Sequence, residues 1–345
     1  MVFLDYASTC PMIRFSARKY GGLHCNPNAA YSFEERKVLV DCEERIKAAI
    51  GVKSGHVLYF RCATEAIDWF QRKTKIRDPY TWWRYSPYEH DCCTRYGIVE
   101  EPSNVADDID FYIHQWVNHV TGEIFNLKEI KAQLPENVQL IVDATAGFGK
   151  AKLPRALDNV ADALFISGHK IGCPELSFMW LSNELCEWLG AAKDIRNQWG
   201  LHHGSLSVAS VLVLTDAVEG ACENGDRVDG HSTRLCVQMN NMLDKACIEH
   251  HDVLERQMFT CSINAIRLNG INADALQQFL ATRGIYVGVG GSACSAAHDY
   301  RVLRAYGLTD NEASEVIRVS FGEETTASDI EALVEGIKEY RSVYC

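Results

Sequence analysis

Short apolar runs alternate along the chain with segments whose apolar residues recur at helical spacing, a pattern that predicts an α/β fold. Val57 to Phe60, Phe111 to Val117, Val138 to Val142, Ala163 to Ile166 and Ser177 to Leu181 read as strands buried inside a sheet. Leu39, Cys42, Ile46 and Ile50 make one stripe of a helix, with Ser32 and Glu35 as its capping box and Gly51 as its stop. A second helix follows Arg61-Cys62-Ala63-Thr64-Glu65-Ala66, and a third begins at Gly204-Ser205 and extends to about Glu219. Leu4 to Pro11 reads as extended, and the aromatic stretch from Trp82 to His90 has no period and reads as an irregular loop.

From about residue 221 the chain becomes more polar, with Gly225 and Gly230, and the domain boundary is placed there. The expected division is a large domain over 14–220 and a small domain from 1–13 and 221–345. Its later part reads as strand (Ile263 to Leu268), helix (Asp274 to Arg283), strand (Ile285 to Val289), helix (Tyr300 to Tyr306) and strand (Val316 to Phe321). A last helix from about Ser328 packs through Ile330, Leu333, Val334, Ile337 and Tyr340.

Ligands of such sheets gather at the carboxyl ends of strands, and the chemistry-bearing residues fall there. Ser167-Gly168-His169-Lys170 leaves the strand ending at Ile166, so Lys170 reaches the mouth of the sheet. A lysine desolvated there loses affinity for its proton and can hold an aldehyde cofactor as a Schiff base; the alternative is a solvated surface lysine. Asp143 ends another strand and suits a protonated pyridine nitrogen, or else caps a helix. Thr64, in a strand-turn-helix, and Ser205, at a helix start, suit a phosphate, although Thr64 also reads as an ordinary N-cap. His90 can stack on a cofactor ring or be a polar surface residue. Cys294 follows Gly290-Gly291-Ser292-Ala293, a loop of small residues of the kind that presents a nucleophilic thiol.

Composition narrows this picture. The 345 residues, 47% hydrophobic and 23% charged, describe a soluble globular protein. Neither a membrane span nor a basic-then-apolar leader is visible, so a cytoplasmic location without a membrane partner is expected. A net charge of -12 without a Lys/Arg block argues against direct nucleic-acid binding. The 14 cysteines are scattered, and His202-His203 and His250-His251 lack spaced acidic or cysteine partners, so neither a metal site nor a disulfide framework is expected.

These residues, taken in order, resemble the cysteine desulfurases, in the class V group of pyridoxal-phosphate (PLP) enzymes. The resemblance runs nearly end to end: Leu4 to Thr9, Asn26-Pro27-Asn28, Ala63-Thr64-Glu65, Glu89-His90, Val142-Asp143-Ala144, Ser167 to Lys170, Gly204-Ser205, Gly291 to Cys294 and Ile317 to Gly322. It implies PLP-dependent transferase fold type I, with a large seven-stranded, mainly parallel sheet domain that binds PLP and a smaller α+β domain that carries the Cys294 loop. It implies that Lys170 bears the cofactor, His90 stacks on its ring and Asp143 pairs with its nitrogen. Ala63, Thr64, Ser167 and His169 would hold the phosphate, with Ser205 from the second subunit of a homodimer. Arg318, Asn118 and His119 would meet the substrate, L-cysteine. Cys294 would take its sulfur as a persulfide, leaving alanine, and pass it to an acceptor protein of an iron–sulfur, tRNA-thiolation or DNA-phosphorothioation pathway.

Four departures stand out. His119 replaces the usual asparagine, Ala146 the usual glutamine on the ring oxygen, Cys173-Pro174-Glu175-Leu176 a glycine-rich stretch, and His202-His203-Gly204-Ser205 the usual Arg-Ser-Gly-Thr. One expectation is that His119 supplies the hydrogen bond that Ala146 lacks. A selenocysteine lyase, another PLP-dependent C–S lyase and a non-catalytic scaffold of the same fold remain as alternatives.

Overall fold

The computed structural model describes residues 1–10, 26–94, 97–154, 156–173, 176–254, 258–290 and 300–344. Its strands are β1 (Val2–Phe3), β2 (His56–Phe60), β3 (Trp83–Tyr85), β4 (Ile98–Val99), β5 (Phe111–Gln115), β6 (Gln139–Asp143), β7 (Ala163–Ile166), β8 (Ser177–Leu181), β9 (His250–Asp252), β10 (Ile263–Leu268), β11 (Ile285–Tyr286), β12 (Gly288–Val289) and β13 (Val316–Ser320). The helices are α1 (Phe33–Ile50), α2 (Ala63–Arg77), α3 (Leu127–Gln133), α4 (Asn183–Leu189), α5 (Val208–Lys245), α6 (Ala273–Thr282), α7 (Arg301–Ala305), α8 (Asp310–Ala313) and α9 (Ala327–Tyr344).

Seven strands form the large sheet in the order β2-β8-β7-β6-β5-β3-β4. Only β8 runs against its neighbours; the pairs from β7 through β4 are parallel. Apolar cores cover both faces, one under α1 and the first half of α5 and the other under α2 and α4. This two-sided burial is why the central strands carry nearly unbroken apolar runs. The smaller sheet, β12-β13-β10-β9, is antiparallel and packs on α6, α9 and the second half of α5. The expected fold class, with a seven-stranded sheet and a smaller α+β part, is therefore what the chain adopts.

Several local expectations are corrected. The helix expected to stop near Glu219 runs on to Lys245. Gly225 is not a breaker there: it faces the Ala151 carbonyl, where a Cβ would stand 3.2 Å from the oxygen, so it permits close packing. The boundary at 221 consequently falls inside one helix, whose Val211 and Leu214 join the large core and whose Leu235 and Met239 join the small one. Ser32 makes no cap hydrogen bond, and its Oγ is buried without a partner. The stretch Trp82 to His90 contains β3, which pairs with β5 through residues too few to show a period. Ile285 to Val289 splits into β11, paired with β1, and β12, paired with β13. Among the described residues no helix is long and apolar enough to cross a membrane.

Candidate active site

The chain leaves β7 through Ser167 into a tight turn over Gly168–Ile171. A Cβ on Gly168 would stand 1.8 Å from the Leu176 carbonyl oxygen, so only glycine lets the returning chain approach. That turn buries Lys170, which is 8% exposed. Burial lowers the affinity of its amine for a proton, Asp143 partly restores it, and Arg318 lowers it further. The solvated-surface reading of Lys170 is thereby excluded.

Asp143 ends β6, where its Oδ1 accepts the Thr145 backbone N–H at 2.8 Å. Burial and the nearby Cys92 raise its pKa, against that hydrogen bond and Lys170. A protonated ring nitrogen facing it would supply the countercharge that burial demands. His90 lies on the turn after β3, and its Nδ1 accepts the Cys92 N–H at 3.2 Å. Burial would lower the His90 pKa, but the contact with Cys92 outweighs it. Hydrogen bonding to Cys93 and then to His90 pulls the Cys92 thiol below the usual range, against the cost of burial.

His119 is held by Gln115. The Gln115 Oε1 accepts the His119 backbone N–H at 3.1 Å and lies 3.1 Å from His119 Nδ1. An amide oxygen only accepts, so Nδ1 carries the proton and the neutral ring presents a lone pair at Nε2. The hydrogen bond expected from His119 to a ring oxygen is thus available only from the imidazolium. The rings of His90 and His119 meet edge to face, 5.1 Å apart.

A cavity of about 160 Å³ opens between these groups. Lys170, Asp143, His90 and His119 border it, as do Ser8 and Ala146. The N-terminus of α2 contributes Ala63 and Thr64, and the β7 turn contributes Ser167 and His169 from the other side. Cys62 is the N-cap, its Sγ accepting the Glu65 N–H, so Thr64 is not spent as a cap. His169 is pushed down to about 4 by burial and then by Lys170 and Lys150, and is neutral. The set fits PLP: an amine for the aldehyde, a buried carboxylate for the ring nitrogen, an imidazole for its face, and a helix N-terminus with hydroxyls for the phosphate.

Arg318, on β13, is 2% exposed and meets the cavity through two of its lining residues. It donates to Ser8 Oγ at 2.8 Å and to the His119 carbonyl at 3.0 Å. Asp5 Oδ1 takes a third bond at 2.7 Å, while the Arg318 Nε is buried without a partner. Gly288 makes room for this guanidinium, since a Cβ there would stand 2.9 Å from Nε.

Other expected residues fall elsewhere. Asn118 is fully buried and its Oδ1 accepts the Val120 and Thr121 N–H groups, so its side chain shapes the turn that presents His119. Ser205 is exposed and does not border this cavity. Cys294 lies outside the described residues. Four residues at the site carried no signal in the pattern: Asp5, Cys92, Gln115 and Arg301. Arg301 donates to the carbonyls of Pro87 and Glu89 and to Asp91 Oδ1, fastening α7 to the His90 turn. Asp5 and Arg301 act through partners remote in the chain, and Cys92 and Gln115 through near neighbours, none of which the apolar spacing encodes.

The chain is similar to known proteins along nearly its whole length. The chain is 24% identical over 375 residues to a putative cysteine desulfurase NifS of Halalkalibacterium halodurans, covering 98% of each chain. It is also 24% identical to an IscS-like cysteine desulfurase of Mycobacterium tuberculosis, over 97% of this chain and 95% of that one. Among solved structures, a NifS-like protein superposes with a TM-score of 0.82 at 19% identity, over 99% of both chains. An apo cysteine desulfurase from Thermococcus onnurineus NA1 does so with a TM-score of 0.76 at 15% identity, over 99% of this chain and 95% of that one. The family model for aminotransferase class-V matches residues 94–333, and the chain belongs to the class-V aminotransferase family.

Proposed function

We propose that the protein is a PLP-dependent cysteine desulfurase. The observation that carries this reading is the single cavity in which Lys170, Asp143, His90 and the α2 N-terminus meet, with Arg318 reaching its edge through Ser8 and His119. Bound there, PLP supplies an electron sink for the charge that develops on the substrate α-carbon. Lys170, its proton affinity lowered by burial, is the base that takes the α-proton. Asp143 holds the ring nitrogen protonated, and Thr64, Ser167 and neutral His169 hold the phosphate. Arg318 takes the substrate carboxylate, which suits a planar guanidinium whose Nε is still unsatisfied. In exchange Asp5 gives up or shares its bond to Nη2. Cys294 attacks the substrate sulfur: an S–S bond forms, the C–S bond breaks with its electron pair going to carbon, and a persulfide remains for an acceptor protein.

The exposed position of Ser205 suits service to the neighbouring site in a homodimer. The test is to load the protein with PLP, add L-cysteine and a reductant, and quantify alanine, sulfide and pyruvate beside Cys294→Ala. Equal alanine and sulfide, lost in the variant, are expected. Pyruvate in place of alanine would identify a different C–S lyase, and turnover of selenocysteine alone would identify a selenocysteine lyase.

A further inference from the structure

Beneath the cavity lies a second carboxyl group that the reaction as described does not use. Glu89 is fully buried, and neither of its carboxylate oxygens makes a hydrogen bond of good geometry; the Cys93 thiol and the His90 N–H stand toward it without completing one. Among the described residues no lysine, arginine or histidine forms an ion pair with it. Arg301 binds its main-chain carbonyl, and the guanidinium pairs with Asp91. What does face the Glu89 side chain is acidic: Glu89, Cys93 and Asp143 place polar atoms within 4.8 Å of one another. The rest of the surroundings are Cys92, from the same turn, and the apolar core that holds Cys93.

A charged carboxylate with no well-formed hydrogen bond, no paired cation and another carboxylate beside it is not sustainable in a dry interior; it takes up a proton instead. Asp143 differs in the first two respects. It accepts a backbone hydrogen bond and has Lys170 across the cavity. Of two neighbouring acids in unequal settings, the one without compensation keeps the proton and the other the charge.

We propose that Glu89 is a neutral carboxylic acid in the working protein and shares its proton with Asp143, so that the pair carries one negative charge beneath the ring site. Glu89 is then a positioning residue: its O–H fixes the Asp143 carboxylate and limits the charge facing the cofactor nitrogen to one. The benefit to the cofactor rests on the reading of Asp143 as the ring-nitrogen partner; the shared proton does not. Burial, followed by the charges of Asp143 and Cys92, outweighs the Cys93 thiol and the His90 N–H and raises the Glu89 pKa well above the usual range, in agreement with this assignment.

Infrared difference spectroscopy of the PLP-loaded protein near neutral pH tests it. Wild type is expected to show a buried carboxylic-acid C=O stretch that Glu89→Gln lacks. The same variant, which replaces a neutral acid by a neutral amide of similar shape, should bind PLP within about threefold of wild type. In Asp143→Asn the acid band should persist but move to higher frequency, because its charged acceptor has gone. Carbon-13 labelling of glutamate side chains in the unmutated protein reads the band without relying on a variant that folds. Absence of the acid band, or an unmoved band in Asp143→Asn, overturns the proposal. If the band behaves as expected but Asp143→Asn binds PLP as tightly as wild type, the shared proton stands and the role of Asp143 toward the ring fails.

Discussion

Two buried lysines, Lys170 and Lys150, flank one short segment of chain, and the cavities they border gather different chemistry. The cavity of Lys170 collects strand ends, a helix N-terminus, three imidazoles and a carboxylate. The cavity of Lys150, about 200 Å³, is bordered mainly by Cys10, Phe148, Ile171, Ala217 and Phe321, with Lys170 also on its wall and the exposed Glu323 at its edge. Lys150 is 5% exposed, donates to the Lys170 carbonyl at 3.5 Å and, among the described residues, has no acidic partner. Burial, then repulsion from Lys170 and Arg318, pushes it down to about 8 against the effect of Cys10. Desolvation thus lowers both amines, but only at Lys170 do a buried acid and a phosphate-ready helix start stand across the space. Burial activates a lysine; the strand ends decide whether there is anything for it to act upon.

The sharpest way to break that contrast is to exchange the two lysines for uncharged residues. Lys170→Ala is expected to lower kcat by about 10³-fold or more, since it removes both the tether and the base. Lys150→Met should leave kcat within about tenfold of wild type in the same alanine assay. Stability separates the pair in the opposite sense. The fold disfavours the charged form of Lys150, so between about 8 and 10.5 the unfolded chain binds more protons, and stability rises with pH across that window. Urea melts should show this rise in wild type and not in Lys150→Met, which gains about 3 kcal/mol near pH 8.

Substitutions at the edge of the active cavity sharpen the comparison with smaller effects. Arg318→Lys keeps the charge but loses the fork and the bonds to Asp5, Ser8 and His119; the KM for cysteine should rise about 100-fold with kcat less affected. Gly288→Ala forces a Cβ to 2.9 Å from the Arg318 Nε and should cost about 1–3 kcal/mol in a denaturant melt. His119→Asn removes the ring fixed by Gln115 and is expected to change kcat/KM by about tenfold; its pH profile should lose any limb that belongs to the imidazole.

What the two lysines teach about the site applies to its legibility. Lys170 stood out because a short apolar strand runs directly into Ser167-Gly168-His169-Lys170, and Thr64 because a strand, a turn and a helix follow without a gap. Lys150 lies in an equally suggestive place, after Gly147 and Gly149, and drew no attention because nothing local shows that it is buried. The resemblance assigns Arg318 to the substrate, and in the fold its guanidinium is bonded to Asp5, 313 positions away. The length of α5 was misread for a related reason. Gly225 and Gly230 resemble a helix end in isolation, and two cores at either end of the helix hold it straight through them.

Properties that depend on near neighbours were set in the chain itself: which runs are strands, which face of α1 and α9 is apolar, and that a lysine, an aspartate and a threonine would stand at strand or helix ends. Those follow from backbone periodicity and from the geometry of short turns, which act over a few residues. Packing set the rest. It paired β2 with β8 in reverse, brought Glu89 against Asp143, gave one of these carboxylates a lysine across the cavity and the other none, and oriented His119 through Gln115. Protonation states and tautomers depend on desolvation and on partners from several elements at once, and those partners meet only when the sheet has closed.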